Sequence, residues 1–157
     1  MNNLRSIKVQ LKKLSSAKYS KEEKCLRLLQ LGCEHYGLML GLISEIKANA
    51  YNVISAYPDG LVSIGESFEV GETICDVTYQ NLSVTSFSKA SGTEWMTHPA
   101  YDKFLIEAYI GTNYFVDGEL IGTINFSSPT ALGREFTVED KKIISEFSKT
   151  LTEIMTV

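Results

Sequence analysis

Three cysteines, two histidines and a short series of threonines and asparagines are the side chains in this 157-residue sequence best placed to do chemistry. Cys25 and Cys33 stand eight residues apart in a segment with helical periodicity, while Cys75 lies alone. An odd number of cysteines in helical segments argues against a disulfide framework and for reduced thiols. Cys75 falls near a helix start, where the helix dipole would lower its pKa; the competing reading is a small buried hydrophobe. His35 ends a helix, where a histidine interacts favourably with the dipole. His98 lies in a long connection beside Trp95 and Tyr101, able to donate to an anionic or carbonyl group, or else to cap a helix or fill the core. Two histidines this far apart do not by themselves suggest a metal or haem site. No phosphate-cradling glycine loop, nucleophile elbow or zinc-protease helix is present.

The polar series is read through one turn. Asp117-Gly118 between two apolar runs is the strongest hairpin signal in the chain. Counting outward pairs Val116 with Glu119, Tyr114 with Ile121, Thr112 with Thr123 and Ile110 with Asn125. Thr112, Thr123 and Asn125 then share one sheet face, and the other carries Tyr109, Phe115, Leu120, Ile124 and Phe126. Gly111 and Gly122 leave room for a close neighbour. Buried polar side chains need partners, which a ligand, water or a short helix supplies. Tyr79, Trp95, Tyr101 and Tyr109 suit stacking on a flat ligand, or plain core packing.

The elements that position these residues follow from patterning. Leu4, Ile7, Leu11 and Leu14 form an a/d seam of two heptads, too short to stand free in water. Ser20-Lys-Glu-Glu23 opens a helix to about Gly37 with Cys25, Leu28, Leu29, Cys33 and Tyr36 on one stripe. Leu38 to Ile46 and Tyr51 to Tyr57 read as a hairpin. Thr73-Ile-Cys-Asp76 has the capping pattern of a short helix reaching about Asn81, and Ser83 to Ser88 is a short strand. His98-Pro99 suits the first turn of another short helix. Thr137-Val-Glu-Asp140 caps a last helix with Ile143, Phe147, Leu151 and Ile154 on its buried stripe. Residues 1–19 are a helix expected to pair between two copies of the chain, and residues 20–157 one α+β domain.

Composition narrows the partners. With 44% hydrophobic residues the chain is able to bury its own core, and a net charge of −4, spread evenly, argues against nucleic acid or an anionic membrane. No apolar run reaches the roughly 20 residues of a membrane span, and Met1 to Ser6 has no signal-peptide core behind it, so a cytoplasmic location is expected.

Taken in order, several runs resemble the GAF domains of bacterial sensor histidine kinases and diguanylate cyclases: Leu28-Leu-Gln-Leu-Gly32, Gly41-Leu-Ile-Ser-Glu-Ile46, Gly65-Glu-Ser-Phe68, Thr73-Ile-Cys75, His98-Pro-Ala-Tyr101, Glu107-Ala-Tyr-Ile-Gly111, Gly122-Thr-Ile-Asn-Phe-Ser-Ser128 and Phe136-Thr-Val-Glu-Asp140. The resemblance covers about residues 20 to 155. It implies a six-stranded antiparallel sheet with terminal helices on one face and, on the other, a pocket roofed by loops and short helices. GAF domains bind cyclic nucleotides, bilins, haem, iron or metabolites, and some only dimerise or relay, so it leaves the ligand and any cofactor open. A bilin photoreceptor carries cysteine and histidine as neighbours in the long loop; here His98 is flanked by Thr97 and Pro99. A free methionine sulfoxide reductase gathers its cysteines at one pocket, which Cys25 and Cys33 do not suit.

The reading is therefore a regulatory small-molecule-binding domain, not an enzyme, acting through a homodimer of its terminal helices. Its expected site is Cys75, Tyr79, Trp95, His98, Tyr101, Thr112, Thr123 and Asn125, in a cavity closed by the Cys75 helix and the Trp95–His98 loop. The alternatives are a ligand-free dimerisation module and a thiol-dependent methionine sulfoxide reductase.

Overall fold

A computed structural model describes residues 3–156. In chain order the elements are α1 (Asn3–Ser16), α2 (Lys21–Tyr36), β1 (Leu40–Lys47), β2 (Ala50–Tyr57), β3 (Ser67–Glu69), α3 (Cys75–Asn81), β4 (Thr85–Phe87), α4 (Pro99–Phe104), β5 (Ala108–Val116), β6 (Glu119–Ser128) and α5 (Val138–Thr156). The strands form one antiparallel sheet in the order β3-β2-β1-β6-β5-β4. This is the α+β arrangement expected. Patterning alone gave five of the strands; β3, three residues at the sheet edge, is too short to show a period.

Local chemistry sets most boundaries. The Glu23 amide donates to Ser20 Oγ at 3.1 Å, and Gly37 closes α2 at φ 71°. At the head of α5 the Asp140 amide donates to Thr137 Oγ1 at 3.1 Å, and the Thr137 amide to Asp140 Oδ2 at 2.8 Å. That is a reciprocal capping box with aspartate as its second member. Thr73 departs from its expected role: its hydroxyl donates back to the Val70 carbonyl at 2.7 Å, and Ile74 stands at the head of α3 without a side-chain cap. A tight helical turn at Val70–Glu72 claims the threonine first.

Two hydrophobic layers sandwich the sheet. On one face α2 and α5 pack through Leu28, Leu29, Phe147 and Leu151 onto Ile43, Ile110, Tyr114, Ile124 and Phe126. Phe126 sits between Tyr36 and Phe147, with ring centroids 5.7 Å from each. The α1 stripe joins this same layer. Ile7 and Leu11 are 4% and 3% exposed within the single chain, Leu4 and Leu14 pack beside them, and α1 lies along α5 and α2. The seam expected to pair between copies is thus covered intramolecularly, because the α2–α5 pair leaves an apolar groove that the sequence does not reveal. On the opposite face Tyr51, Val53, Ile74, Cys75, Phe87 and Tyr109 form the second layer.

The Asp117-Gly118 turn forms as expected, with φ of 52° and 77°. The register beyond it does not. Phe115 pairs with Leu120 but Tyr114 pairs with Gly122, so Ile121 is a bulge and later pairs slip by one: Asn113 with Thr123, Thr112 with Ile124, Gly111 with Asn125, Ile110 with Phe126. Thr112 accordingly shares the face of Ile124, not that of Thr123, while Ile124 and Phe126 do not share the face of Tyr109. The physical cause lies in the neighbouring strand. A Cβ on Gly122 would fall 2.1 Å from the Ser44 carbonyl oxygen, and Ser44 Oγ accepts the Thr123 amide at 3.1 Å where β1 and β6 part. A second irregularity, between Ile43 and Ser44 in the β1–β2 pairing, meets the bulge there.

Candidate functional site

A cavity of about 380 Å³ opens on the second face. Its floor is the sheet, through Leu40, Leu42, Tyr51, Tyr109, Asn125 and Ser127. Its sides are Thr73, Ile74 and Cys75 at the start of α3, Leu61 and Val62 after β2, and residues 103–106 at the end of α4. Antiparallel pairing gathers the floor: Asn125 stands opposite Leu42 on one side and Gly111 on the other. A Cβ on Gly111 would lie 2.5 Å from the Tyr109 hydroxyl, so only glycine lets that ring lie along its own strand.

The polar part of the floor is one connected set. Asn125 Nδ2 donates to Tyr51 Oη at 3.1 Å and to Cys75 Sγ at 3.2 Å. The Tyr109 hydroxyl donates to Cys75 Sγ at 3.3 Å and lies 3.3 Å from Thr78 Oγ1. Thr123 Oγ1 meets Ser44 Oγ at 3.0 Å beneath them. Burial raises the pKa of Tyr51 and Tyr109 well above the tyrosine range, so both remain protonated donors. Burial likewise raises that of Cys75, against the opposing hydrogen bonds from Thr123, Tyr109 and Tyr51. The expected lowering by the helix dipole does not prevail: α3 has seven residues, and desolvation is the larger effect.

Of the eight expected site residues, the structure brings Cys75 and Asn125 to the cavity wall, with Thr123 buried just below. Thr112 is on the helix-packed face because of the bulge. Trp95 stands one ring removed, stacked on Phe87 at 4.6 Å, which in turn stacks on Tyr109 at 5.8 Å. His98 Nδ1 accepts the Ala100 amide at 3.0 Å and caps α4, and burial lowers its pKa, so it serves as an acceptor. The Trp95–His98 segment therefore backs the cavity wall without closing it; the end of α4 does that. Tyr79 packs half-buried against the second layer. Tyr101 donates to Glu107 Oε2 at 2.6 Å, and Ser91 Oγ donates to the same oxygen at 2.5 Å, fastening α4 to the start of β5.

Sequence reasoning missed Tyr51, Leu42 and Ser127. Tyr51 was visible only as a strand residue, and its approach to Asn125 needs the β2-β1-β6 order. Cys25 and Cys33 belong to the helix-side layer, across the sheet from Cys75, and all three are free thiols. Among the described residues no three His, Cys, Asp or Glu side chains gather at one place, and no helix is long and apolar enough to cross a membrane.

No protein-family model and no curated protein matches the sequence. Solved structures do. The GAF domain of an Acinetobacter phosphoenolpyruvate-protein phosphotransferase superposes with a TM-score of 0.76 at 10% identity, over 99% of this chain and 94% of that one. The chromophore-binding domain of a Stigmatella aurantiaca phytochrome gives 0.75 at 13% identity over 98% of this chain, which spans 59% of that chain's length. A free methionine-R-sulfoxide reductase from Neisseria meningitidis, in complex with its substrate, gives 0.75 at 13% identity, over 96% of this chain and 87% of that one. At such identities the likeness is one of fold. The chain has the fold of a GAF domain.

Proposed function

We propose that the chain is a cytoplasmic regulatory domain that binds one small molecule in the cavity between the sheet and α3 and passes its occupancy to the terminal helices. The observation that carries this is the cavity: at about 380 Å³ it lies within the roughly 300–1,000 Å³ of ligand sites, and it has a mostly apolar wall with a few convergent polar groups. A relay module with its pocket filled by its own aromatics would lack that space.

A route outward supports the second half. Asn113 Nδ2 donates to the Thr78 carbonyl of α3 at 3.0 Å, while the Asn113 carbonyl accepts Ser148 Oγ of α5 at 2.7 Å. One residue thus joins the helix over the pocket to the helix behind the sheet, and α5 in turn carries α1. A homodimer through these helices would have to use surfaces other than the buried α1 stripe.

The catalytic alternative rests on Cys75 and the reductase fold neighbour. Against it, a sulfenic acid formed at Cys75 would find no second thiol on its side of the sheet. Native mass spectrometry of protein purified from its own host tests the main reading. A discrete added mass is expected in the wild type and not in Ser127→Phe, which fills the cavity. An empty wild type with turnover of free methionine sulfoxide that requires Cys75 would replace it with the enzyme.

A further inference from the structure

The cavity wall specifies a class of ligand, an inference that rests on the regulatory reading above. Lys103 is the one charged residue on the wall, and its ammonium is paired with Glu72. Among the described residues of the wall no other side chain carries a charge. An anion entering such a wall gives up its hydration without a compensating partner.

The floor carries a complementary signal. Asn125 is 2% exposed and lines the cavity, and both described hydrogen bonds of its amide leave from Nδ2. Neither of these bonds uses Asn125 Oδ1, and the Ser127 hydroxyl stands on the same wall. Among the described residues the fully enclosed side-chain atoms without a partner are His35 Nε2 and Asn113 Oδ1; Asn125 Oδ1 is not one of them, and its residue lines a space large enough for a guest that could bond to it. The neighbouring polar atoms are already engaged: Tyr51, Tyr109 and Cys75 satisfy one another through Asn125 and Thr78.

The mouth gives a third indication. Met39, Leu61 and Leu105 line the opening and are 49%, 55% and 67% exposed. Leu105 also holds φ at 54°, an uncommon conformation for a leucine, which turns the chain at the end of α4. Apolar side chains grouped at a cavity mouth mark an entrance for an apolar molecule.

We propose that the natural ligand is an uncharged, largely apolar molecule of one or two rings or comparable bulk, presenting a single hydroxyl or N–H donor to Asn125 Oδ1 and Ser127 Oγ. The same wall disfavours anions, cyclic nucleotides included.

Three probes of one shape test this by calorimetry on the full chain: 2-naphthol, which is neutral with a donor; 2-methoxynaphthalene, neutral without one; and 2-naphthoate, anionic. Naphthol is expected to bind one-to-one, roughly three- to tenfold tighter than the ether. Naphthoate should be weaker than naphthol by about a hundredfold or more. Asn125→Leu should shrink naphthol's advantage over the ether, and Ser127→Ala, a smaller perturbation, should shrink it less. Naphthoate binding as well as naphthol, or an ether as tight as the alcohol, overturns the ligand class and leaves the regulatory reading standing. If none of the three binds, the class falls. If the host-purified protein is empty as well, the regulatory reading falls with it.

Discussion

Glu107 shows how a single side chain secures the wall around the cavity. Hydrogen bonds from Ser91 and Tyr101 hold its pKa down to about 2. A carboxylate depressed in the folded state contributes stability that is present above the unfolded value and lost as pH falls toward 2. Unfolding midpoints measured across pH 5 to 2 should therefore decline, and Glu107→Gln should flatten that decline; an unchanged slope would remove the clamp from the account. The thiols behave in the opposite sense. Burial pushes Cys25 up to about 11 and Cys33 up to about 12, so the folded chain holds these protons to higher pH than the unfolded chain does. Their contribution is full below the unfolded thiol range and is lost progressively as pH rises from there through the folded values of about 11 and about 12. At pH 7.5 the thiolate fraction of either is on the order of 0.1% or less. Native protein should label slowly with a thiol reagent at all three cysteines and release three thiols once denatured. Rapid labelling of Cys75 would instead favour the reductase reading.

At the scale of elements, α1 carries the sharpest test because its apolar stripe admits two destinations. In the structure Ile7 and Leu11 are buried against α5 and α2. Leu11→Glu forces a charge into that layer and should cost several kcal/mol, on the order of a buried unpaired charge. Chemical denaturation should show the loss, with the sedimentation coefficient unchanged at concentrations where the variant stays folded. Had the stripe joined two copies, the same variant would split a dimer while the domain kept its stability. The stripe itself was legible in the sequence, as were the caps at Ser20 and Thr137, since spacing and side-chain type decide them within one turn of helix. Which surface covers the stripe was not legible, because amphipathic periodicity says that a face must be buried and not by what.

For the whole molecule, the proposed relay from the cavity runs through Asn113, which bonds to both α3 and α5. A ligand that binds only the folded protein stabilises it by about 2.7 kcal/mol at a hundred times its dissociation constant. Hydrogen exchange with saturating 2-naphthol should slow in residues 60–64 and 100–106, which border the cavity, and in α5 near Ser148. Asn113→Ala should keep the first effect and lose the second; protection of α5 that survives the variant would remove Asn113 from the route. What the sequence by itself determined is the part governed by local rules: α2, α5, the two hairpins, the short helices and the α+β order, since caps, turns and hydrophobic period act over a few residues. It also singled out Cys75 and Asn125. Only the tertiary structure decided the rest. One unpaired residue, Ile121, moves Thr112 to the far side of the sheet, because side chains alternate with a period of two and a bulge reverses every later one. That bulge is fixed by Ser44, 77 residues before Ile121 in sequence and in contact with Gly122 only because β1 lies beside β6. The cavity follows from the same pairing, which sets Tyr51, Asn125 and Tyr109 side by side around one thiol from three strands that no local pattern could have aligned.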